Sequence, residues 1–315
     1  MTIFSGGPLC GQSVRILELP AAAGSGKVSP PLWSGQFFYV RTYAMEPGQP
    51  QVLVYNQSGL ALPITIAFPD SSGVSVEGVT ALNRGPGALI SGSAWSQSGQ
   101  FATFLAWIDN TGNSTKVIRT NPYLATRICF APDGSIWTFG VNTENVQSDD
   151  ELVRHFQPDG TLAGKYALKS SFGIKRNPAR MNQLGSPFVG VSKDRVGVFS
   201  ANANQWLEFS FDGQILGRWT VQPPPALKPD GTSSKPLTVP SLVFRNDNSV
   251  YAWLDGGTNS GIYVLDKSGP RWVKASNIDS RSFAGLFGTQ GAELLMRARQ
   301  GSGQFAWVSV PSPGE

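Results

Sequence analysis

The sequence predicts an all-β protein: a six-bladed β-propeller of four-stranded antiparallel blades, closed by an N-terminal strand that pairs in the last blade. The main observation is a phrase that occurs five times, an apolar strand, a tight polar turn and a second short strand. The five turn glycines are Gly59, Gly112, Gly160, Gly213 and Gly269. Their spacing of roughly 50 residues fits one four-stranded blade per repeat. A sixth unit, with strands FAGLF, AELLMRA and QFAWVSV, lacks a fourth strand.

The composition is that of one large β domain. The 315 residues include 36 Gly and 23 Pro, yet aromatic residues make up 11% of the chain. Disordered sequences rich in Gly and Pro are usually poor in aromatic residues, so here Gly and Pro indicate turns between many short strands. We expect a single domain over residues 1–315, and a monomer.

The blades can be placed along the chain from the repeated phrases. Blade 3 is the clearest, because Asp133-Gly134 and Asp159-Gly160 each join two apolar runs, which is a strong hairpin signal. The same pattern predicts six blades and one Pro-rich interblade loop: blade 1 at 27–68, blade 2 at 74–120, blade 3 at 123–170, blade 4 at 178–221, the loop at 222–239, blade 5 at 240–276 and blade 6 at 280–310.

The fourth strand of blade 6 is predicted to come from the start of the chain. The segment SVRILELP, residues 13–20, has the length and β-branched character of the fourth strands KVIRT and ILGRWTV. Pairing residues 13–19 with residues 304–310 removes the unpaired edge that a three-stranded blade would leave. The ring then closes with six complete blades.

Charge and hydropathy argue against two classes of partner. Charged residues are 15% of the chain and the net charge is +4, with Lys and Arg scattered along the sequence. A nucleic-acid-binding surface would concentrate them on one element, so no nucleic acid is expected. The densest basic stretch, residues 165–180, is interrupted by apolar residues and proline and indicates ordinary solvated surface. No stretch approaches the roughly 18–20 apolar residues of a membrane span, so no membrane insertion is expected.

The compartment stays open. The opening residues MTIFSGGPLCGQ lack the basic and apolar regions of a signal peptide. A bacterial periplasmic or secreted location is expected if a leader was removed, and a cytoplasmic one otherwise. Cys10 precedes the first strand and Cys129 lies inside the apolar strand TRICFA, so no disulfide between them is expected.

With the blades placed, a resemblance to a known superfamily becomes visible. The segments APDGSIWTFG, FQPDGTLAGKYAL and FRNDNSVYAWLDGGTNSGIYVLDKSG resemble the NHL and SMP-30/gluconolactonase-like (TolB-like) superfamily of six-bladed propellers, over residues 120–275. The lactonases of that superfamily hold one divalent cation in the central channel with a Glu, two Asn and an Asp. The resemblance therefore implies the six-bladed fold, and for a lactonase-type member a Ca²⁺ or Zn²⁺ site.

Part of that ligand set maps onto this chain. Asp255 follows the strand VYAWL, Asn202 follows VGVFS, and Glu77 lies in VEGVT where blade 2 begins. The lactonase phrase in which Glu precedes Gly-Pro and an aromatic residue is absent, as is the Pro-Asn-Gly phrase that carries one Asn. The alternative for Asp255 and Asn202 is that they end strands by bonding their own turns, as Asx residues commonly do; no cofactor is then expected.

Other candidate binding residues are cationic or aromatic. Arg127, Arg180 and Arg281 lie near the starts of blades 3, 4 and 6, where they would converge on an anionic ligand or else neutralise nearby carboxylates. Trp33 and Trp95 are flanked by Gly, Ser and Gln, and we expect them to form an exposed platform for a sugar or a peptide. The other strand tryptophans are expected in the core, because propeller blades pack face to face through such residues.

Familiar catalytic patterns are missing from the sequence. The only histidine, His155, alternates with apolar neighbours in ELVRHFQ, so we expect it to pack on a strand face. No Gly-x-Ser-x-Gly phrase accompanies it, which argues against a Ser-His-Asp triad. A phosphate-binding P-loop, a Cys/His pair at zinc spacing and a dinucleotide fingerprint are absent as well.

A complete scaffold without a complete catalytic set predicts a non-catalytic binding module. Six blades present their loops around one channel mouth, which suits a protein, a peptide or a glycan. The alternative is a metal-dependent hydrolase of the lactonase type, in which Glu77, Asn202 and Asp255 hold a cation that polarises a carbonyl and activates water. A third hypothesis is a propeller that forms part of a larger sensor or enzyme.

Overall fold

The structure is a computed structural model that describes residues 15–17, 32–45, 48–56, 58–82, 85–145, 148–172, 187–200, 203–224, 238–255, 259–275, 282–299 and 305–312. Within these ranges the chain forms six four-stranded sheets in which all paired strands are antiparallel. The predicted all-β, six-bladed propeller is confirmed.

The first three blades follow one another along the chain, each with its strands in sequence order from the innermost to the outermost. Blade 1 consists of β2 (Leu32–Ser34), β3 (Phe37–Arg41), β4 (Val52–Asn56) and β5 (Gly59–Ile64). Blade 2 consists of β6 (Ser71–Ala81), β7 (Ala88–Ser96), β8 (Phe101–Ile108) and β9 (Ser114–Arg119). Blade 3 consists of β10 (Tyr123–Phe130), β11 (Ile136–Asn142), β12 (Glu151–Phe156) and β13 (Leu162–Leu168), followed by a short 3-10 helix (Lys169–Phe172).

The last three blades repeat the arrangement, except at the closure. Blade 4 consists of β14 (Phe188–Val191), β15 (Val196–Ser200), β16 (Gln205–Phe209) and β17 (Ile215–Thr220). Blade 5 consists of β18 (Thr238–Phe244), β19 (Val250–Asp255), β20 (Gly261–Asp266) and β21 (Arg271–Lys274). Blade 6 consists of β22 (Phe283–Gln290), β23 (Glu293–Arg299), β24 (Phe305–Pro311) and, as its outer strand, β1 (Arg15–Leu17).

The ring is closed by pairing between the two ends of the chain. β1 runs antiparallel to β24, with Ile16 opposite Val308 and Leu17 opposite Trp307. This confirms the predicted closure by an N-terminal strand. The described part of the closing strand is three residues long, and the remaining residues of the predicted segment 13–20 lie outside the described residues.

Burial decreases from the inner strands of a blade to its outer strand. In blade 3 the first six residues of β11, IWTFGV, are all buried, because a middle strand is covered on both faces by neighbouring blades. In the outer strands β9 and β17, every residue is exposed or only half-buried.

Large aromatic residues join neighbouring blades. Trp137 of blade 3 lies 5.5 Å from Phe209 of blade 4, and Trp206 of blade 4 lies 5.2 Å from Phe244 of blade 5, measured between ring centroids. Both indoles are fully buried. Aromatic pairs at these distances add attraction beyond the area they bury, so they hold the wedge-shaped blades together.

The turn glycines differ in what their backbone requires. Gly160 and Gly213 have φ values of 81° and 94°, a region that side chains with a Cβ rarely occupy, so these turns need glycine. Gly269 does not lie in that region, and nothing lies within 4 Å of where its Cβ would be. The fifth repeat of the phrase therefore forms its turn without this constraint.

Two smaller findings concern cysteine and the membrane. Cys129 is a free, buried thiol, and burial raises its pKa; Cys10 lies outside the described residues. The described ranges contain no helix with the length and apolar character needed to cross a membrane.

Candidate functional site

All six blades contribute to a cavity of about 290 Å³ at the centre of the ring. Its lining comes mainly from the innermost strands and comprises, in chain order, Leu32, Tyr39, Arg41, Glu77, Gly78, Val79, Arg127, Ile128, Pro187, Phe188, Val189, Val239, Ser241, Leu242, Leu286 and Phe287. A concave, mostly apolar cavity with a few converging polar groups is the usual form of a ligand site.

The innermost strands contain β-bulges where they line this cavity. β6 and β22 each have two register shifts; one of them leaves Glu77 as the extra residue in β6, and one leaves Phe287 in β22. In β10 the shift lies between Ala125 and Arg127. A bulge locally changes the direction of side chains, so these three strands present residues to the channel that a regular alternation would place differently.

Arg41 and Glu77 form the polar wall between blades 1 and 2. The Arg41 guanidinium donates through Nη1 to the backbone oxygens of Val76, at 3.0 Å, and of Glu77, at 2.6 Å. The same nitrogen lies 4.0 Å from Glu77 Oε2, and Glu77 Oε1 accepts a hydrogen bond from Ser75 Oγ at 3.0 Å. Arg41 is thus held against β6, and its charge is balanced in part by Glu77.

Arg127 adds a second positive charge to the same wall. Its side chain is exposed where it borders the cavity, and Nη1 donates to the backbone oxygen of Thr126 at 2.7 Å. Partial burial lowers the pKa of Arg127, and the charge of Arg41 acts in the same direction, while Glu77 and Tyr43 oppose it. An arginine stays protonated under these conditions, so the charged side chains that line the cavity within the described residues, Arg41, Glu77 and Arg127, sum to one net positive charge.

The opposite wall, from blades 4 to 6, is mainly apolar. Its apolar residues are Phe188, Val189, Leu242, Leu286 and Phe287, with Val239 beside them. The polar exception is Ser241 of blade 5, whose buried Oγ has no hydrogen-bond partner within the described residues. The cavity is therefore two-sided, with charged groups on blades 1 to 3 and mainly hydrocarbon on blades 4 to 6.

Two of the three residues considered for a metal, Glu77 and Asp255, lie within the described residues, and each has other partners there. Glu77 lines the cavity, but Arg41 and Arg127 stand beside it, and two guanidinium groups repel a divalent cation. Asp255 is exposed at the end of β19, where it accepts a hydrogen bond from Ser260 Oγ at 2.7 Å. Asn202 lies outside the described residues, and the described ranges contain no group of three His, Cys, Asp or Glu residues suited to a metal.

Of the candidate arginines and tryptophans, Arg127, Trp33 and Trp95 lie within the described residues. Arg127 lines the cavity, whereas Arg180 and Arg281 lie outside the described residues. Trp33 is half-buried, donates through Nε1 to the oxygen of Gly35 at 3.1 Å and stacks on Phe38 at 6.1 Å. It therefore packs on its own hairpin at the end of β2.

Trp95 lies at the end of β7, opposite Gly73 near the start of β6. Because innermost strands run in the same direction around the ring, Trp33 and Trp95 are on opposite faces of the propeller. A Cβ at Gly73 would lie 2.3 Å from the Trp95 ring, so the indole rests on the glycine backbone. Trp95 also borders a second cavity of about 470 Å³, which is formed by blade 2 and the segment just before it, together with Phe68, Phe101 and Arg119.

His155 is placed in the core, as expected from its alternation. It is buried, it stacks on Trp137, and it lines neither cavity. The residues that the sequence reasoning missed are Arg41 and Phe287. A charged residue at the end of the apolar strand FFYVR was a usable signal for Arg41, but no local signal marks Phe287 as a bulge residue.

No protein-family model matches the chain, and no curated protein matches it. Solved structures show the same class of fold. A candidate exported protein from Bacteroides fragilis is similar, with a TM-score of 0.60 at 8% identity, over 96% of this chain and 95% of that one. A protein of unknown function from Bacteroides caccae has a TM-score of 0.51 at 15% identity, over 89% and 92%.

A streptogramin B lyase structure aligns over 96% of this chain and 88% of its own, with a TM-score of 0.49 at 11% identity. Similarity at these identities concerns the fold alone, because one propeller architecture serves many functions. The function must be argued from the cavity and its residues.

Proposed function

We propose that this protein is a non-catalytic binding module whose ligand occupies the central cavity. The observation that carries the proposal is the convergence of all six blades on one cavity with a charged wall and an apolar wall. Ligand sites combine apolar surface with a few polar groups that orient the ligand, and this cavity has that composition. The ligand, or the part of a protein, peptide or glycan that carries the bound group, enters at the channel mouth.

The titratable groups of the cavity support binding better than catalysis. Glu77 is engaged by Arg41 and Ser75. Burial raises the pKa of Tyr39 to about 12, and its hydroxyl donates to the oxygen of Gly87 at 3.1 Å. A phenol that is protonated and already bonded is neither a base nor a nucleophile at neutral pH.

The superfamily resemblance remains part of the proposal. We propose that the chain is a relative of the NHL and SMP-30-like propellers, on the strand–turn–strand phrases of blades 3 and 5. The alternative function, a metal-dependent lactone or ester hydrolase, would require Ca²⁺ or Zn²⁺ near Glu77, Asn202 and Asp255. The following experiment tests this alternative by measuring lactone hydrolysis with added metal.

The experiment compares two equivalent substitutions. Val79→Phe places a ring in the cavity, whereas Val273→Phe places the same ring on the exposed outer strand of blade 5. Small carboxylates, their neutral amides, short peptides and oligosaccharides are titrated into the full chain by calorimetry, and lactone hydrolysis is followed with Ca²⁺ or Zn²⁺ added.

We expect saturable binding of one class by the wild type and the Val273→Phe variant, with at least about tenfold weaker binding by the Val79→Phe variant, since the ring fills the ligand volume. Binding that Val79→Phe leaves unchanged contradicts a ligand in the cavity. Metal-dependent lactone turnover that Val79→Phe abolishes contradicts the non-catalytic assignment and favours the hydrolase.

A further inference from the structure

One of the two guanidinium groups on the charged wall of the central cavity, that of Arg127, makes few hydrogen bonds. Arg127 has five N–H donors, and within the described part of the chain the structure gives it one hydrogen bond, to the backbone oxygen of Thr126. Arg41, by contrast, is bonded to two backbone oxygens and lies beside a carboxylate. Arg41 is therefore held in place by its own wall, whereas four of the five N–H donors of Arg127 have no partner within the described residues.

The fork of an arginine matches a carboxylate, which can accept two parallel N–H bonds from it. The channel location increases the strength of such a pair, because the protein around the guanidinium excludes part of the solvent. Desolvation by the surrounding protein and the nearby charge of Arg41 lower the pKa of Arg127, and an anion on the guanidinium would oppose both effects.

Glu77 limits the number of negative charges that the cavity accepts. Its carboxylate lies on the same wall as Arg127, and the described residues of that wall carry one net positive charge. A ligand with one carboxylate neutralises this wall, whereas a second carboxylate would face Glu77 and be repelled.

The apolar wall and the volume define the remainder of the ligand. Phe188, Leu242, Leu286 and Phe287 offer hydrocarbon opposite the charged wall. A cavity of about 290 Å³ holds about ten water molecules at ~30 Å³ each. That space suits one aromatic or branched apolar group with its carboxylate and is too small for a folded peptide.

From these four features we infer that the central cavity binds a small monocarboxylate with an apolar body, its carboxylate on Arg127 and its hydrocarbon against blades 4 to 6. The inference rests on the proposed function and adds the chemical class of the ligand. The C-terminus of a peptide that ends in an apolar residue also combines one carboxylate with one apolar group. The experiment below therefore distinguishes a small-molecule ligand from a peptide C-terminus.

Six probes test the parts of this inference by calorimetry on the full chain. Four are small molecules: 3-phenylpropanoate, its neutral amide 3-phenylpropanamide, acetate as the head group alone, and phenylsuccinate as a dicarboxylate. The other two are a short peptide acid that ends in phenylalanine and the C-terminal amide of the same peptide. We expect the wild type to bind 3-phenylpropanoate at least about tenfold more tightly than the amide, because a hydrogen-bonded charge pair contributes that much. Acetate and phenylsuccinate should bind more weakly than 3-phenylpropanoate.

Two variants are expected to change binding of the acid in opposite directions. A variant that merely fails to fold cannot bind more tightly, so the pair separates an effect on binding from an effect on folding. Arg127→Gln should abolish the preference for the acid over the amide, and Glu77→Gln should tighten binding of the acid by removing the repelling charge. Arg119→Gln is the matched control, because Arg119 is an exposed arginine at the rim of blade 2, outside the central cavity. It should leave both affinities unchanged.

Each remaining outcome counts against a defined part of the proposal. Equal affinity for acid and amide, with both blocked by Val79→Phe, contradicts the carboxylate site and leaves the binding module standing. If the Val79→Phe variant binds 3-phenylpropanoate as the wild type does, both the carboxylate site and the proposed binding of a ligand in the central cavity are contradicted. No binding of 3-phenylpropanoate, or binding only of a phenylalanine-terminated peptide acid and not of its amide, contradicts the small-molecule assignment.

Discussion

Trp137 and His155 stack inside blade 3, with ring centroids 4.4 Å apart and planes 11° from parallel. The two residues lie directly opposite each other on β11 and β12. His155 is buried, and within the described residues neither of its ring nitrogens has a hydrogen-bond partner. Burial lowers the pKa of His155, and the charge of Asp133 opposes this only in part. The ring is therefore neutral in the folded protein.

This burial predicts a pH-dependent stability. A histidine whose pKa is lower in the folded than in the unfolded state binds its proton preferentially when the chain unfolds, so the free energy of unfolding decreases as pH falls below about 6.5. The contribution of neutral His155 to the free energy of unfolding is fully present above pH 6.5. It decreases as the pH falls from there to the lower pKa of the folded state. Urea denaturation from pH 7.5 to 5.0 should show a slope of up to about 1.4 kcal/mol per pH unit.

His155→Phe provides the control for this dependence. Phenylalanine keeps a ring against Trp137 but carries no proton, and His155 is the only histidine of the chain. The variant should lose the slope between pH 6.5 and 5.0. Identical pH profiles for the wild type and the variant would show that His155 is not the group responsible.

A second prediction concerns a buried carboxylate between blades 4 and 5. Glu208 has 1% of its side chain exposed and binds three partners, Arg195 Nη1 at 3.0 Å, Trp206 Nε1 at 2.8 Å and Lys267 Nζ. Glu208→Gln removes the negative charge and leaves both cations without it. Because these cations are about one-quarter exposed, water compensates in part, and we expect a loss of about 2 kcal/mol in urea denaturation.

The matched control is Asp194→Asn. Asp194 also pairs with Arg195, at 2.9 Å, but its side chain is 46% exposed. Exposed ion pairs contribute about 0–1 kcal/mol, so this variant should be at least 1 kcal/mol more stable than Glu208→Gln. If both variants lose the same free energy of unfolding, the burial of Glu208 does not strengthen its contacts.

Gly92 gives a third prediction, in the middle of blade 2. A Cβ at this position would lie 2.1 Å from the backbone oxygen of Ser75, so Gly92→Ala must push β6 away near its bulge at Glu77. Overpacking of this kind costs about 1–3 kcal/mol. Gly269→Ala has open space and an ordinary φ, and its midpoint in urea should match the wild type or rise slightly. The same midpoint for both variants would contradict the close approach of β6 and β7.

The blades and their closure could be predicted from the sequence because their signals are local. An Asp-Gly turn between apolar runs specifies a hairpin wherever it occurs, as at Gly134 and Gly160. The count of strands then indicated that the last blade needed a partner, and the register of β1 with β24 confirms it.

The chemistry of the cavity could be predicted only in part, because it depends on register between blades. Arg127 was identified from its place near the start of blade 3. Glu77 was assigned to a metal set, but it lies beside Arg41, which belongs to another blade and is brought there by the packing of β3 on β6. A single-residue bulge also decides which side chain faces the channel, and no pattern in this one sequence marks that bulge.

The closure of the ring can be tested residue by residue, because β1 and β24 pair in a defined register. Arg15 lies opposite Ser309, and antiparallel partners have Cα atoms about 4.5–5.5 Å apart, within the range that a disulfide spans. In a Cys10→Ser background, Arg15→Cys with Ser309→Cys should therefore form a disulfide on mild oxidation. The offset pair, Leu17→Cys with Ser309→Cys, places the sulfur atoms two positions apart along the strands and should not. Intact mass under non-reducing conditions measures the bond, and the linked protein should melt at a higher temperature than its reduced form, because the cross-link joins the two ends of the ring. Equal yields from the two pairs, or a bond only in the offset pair, would contradict the register of β1 on β24.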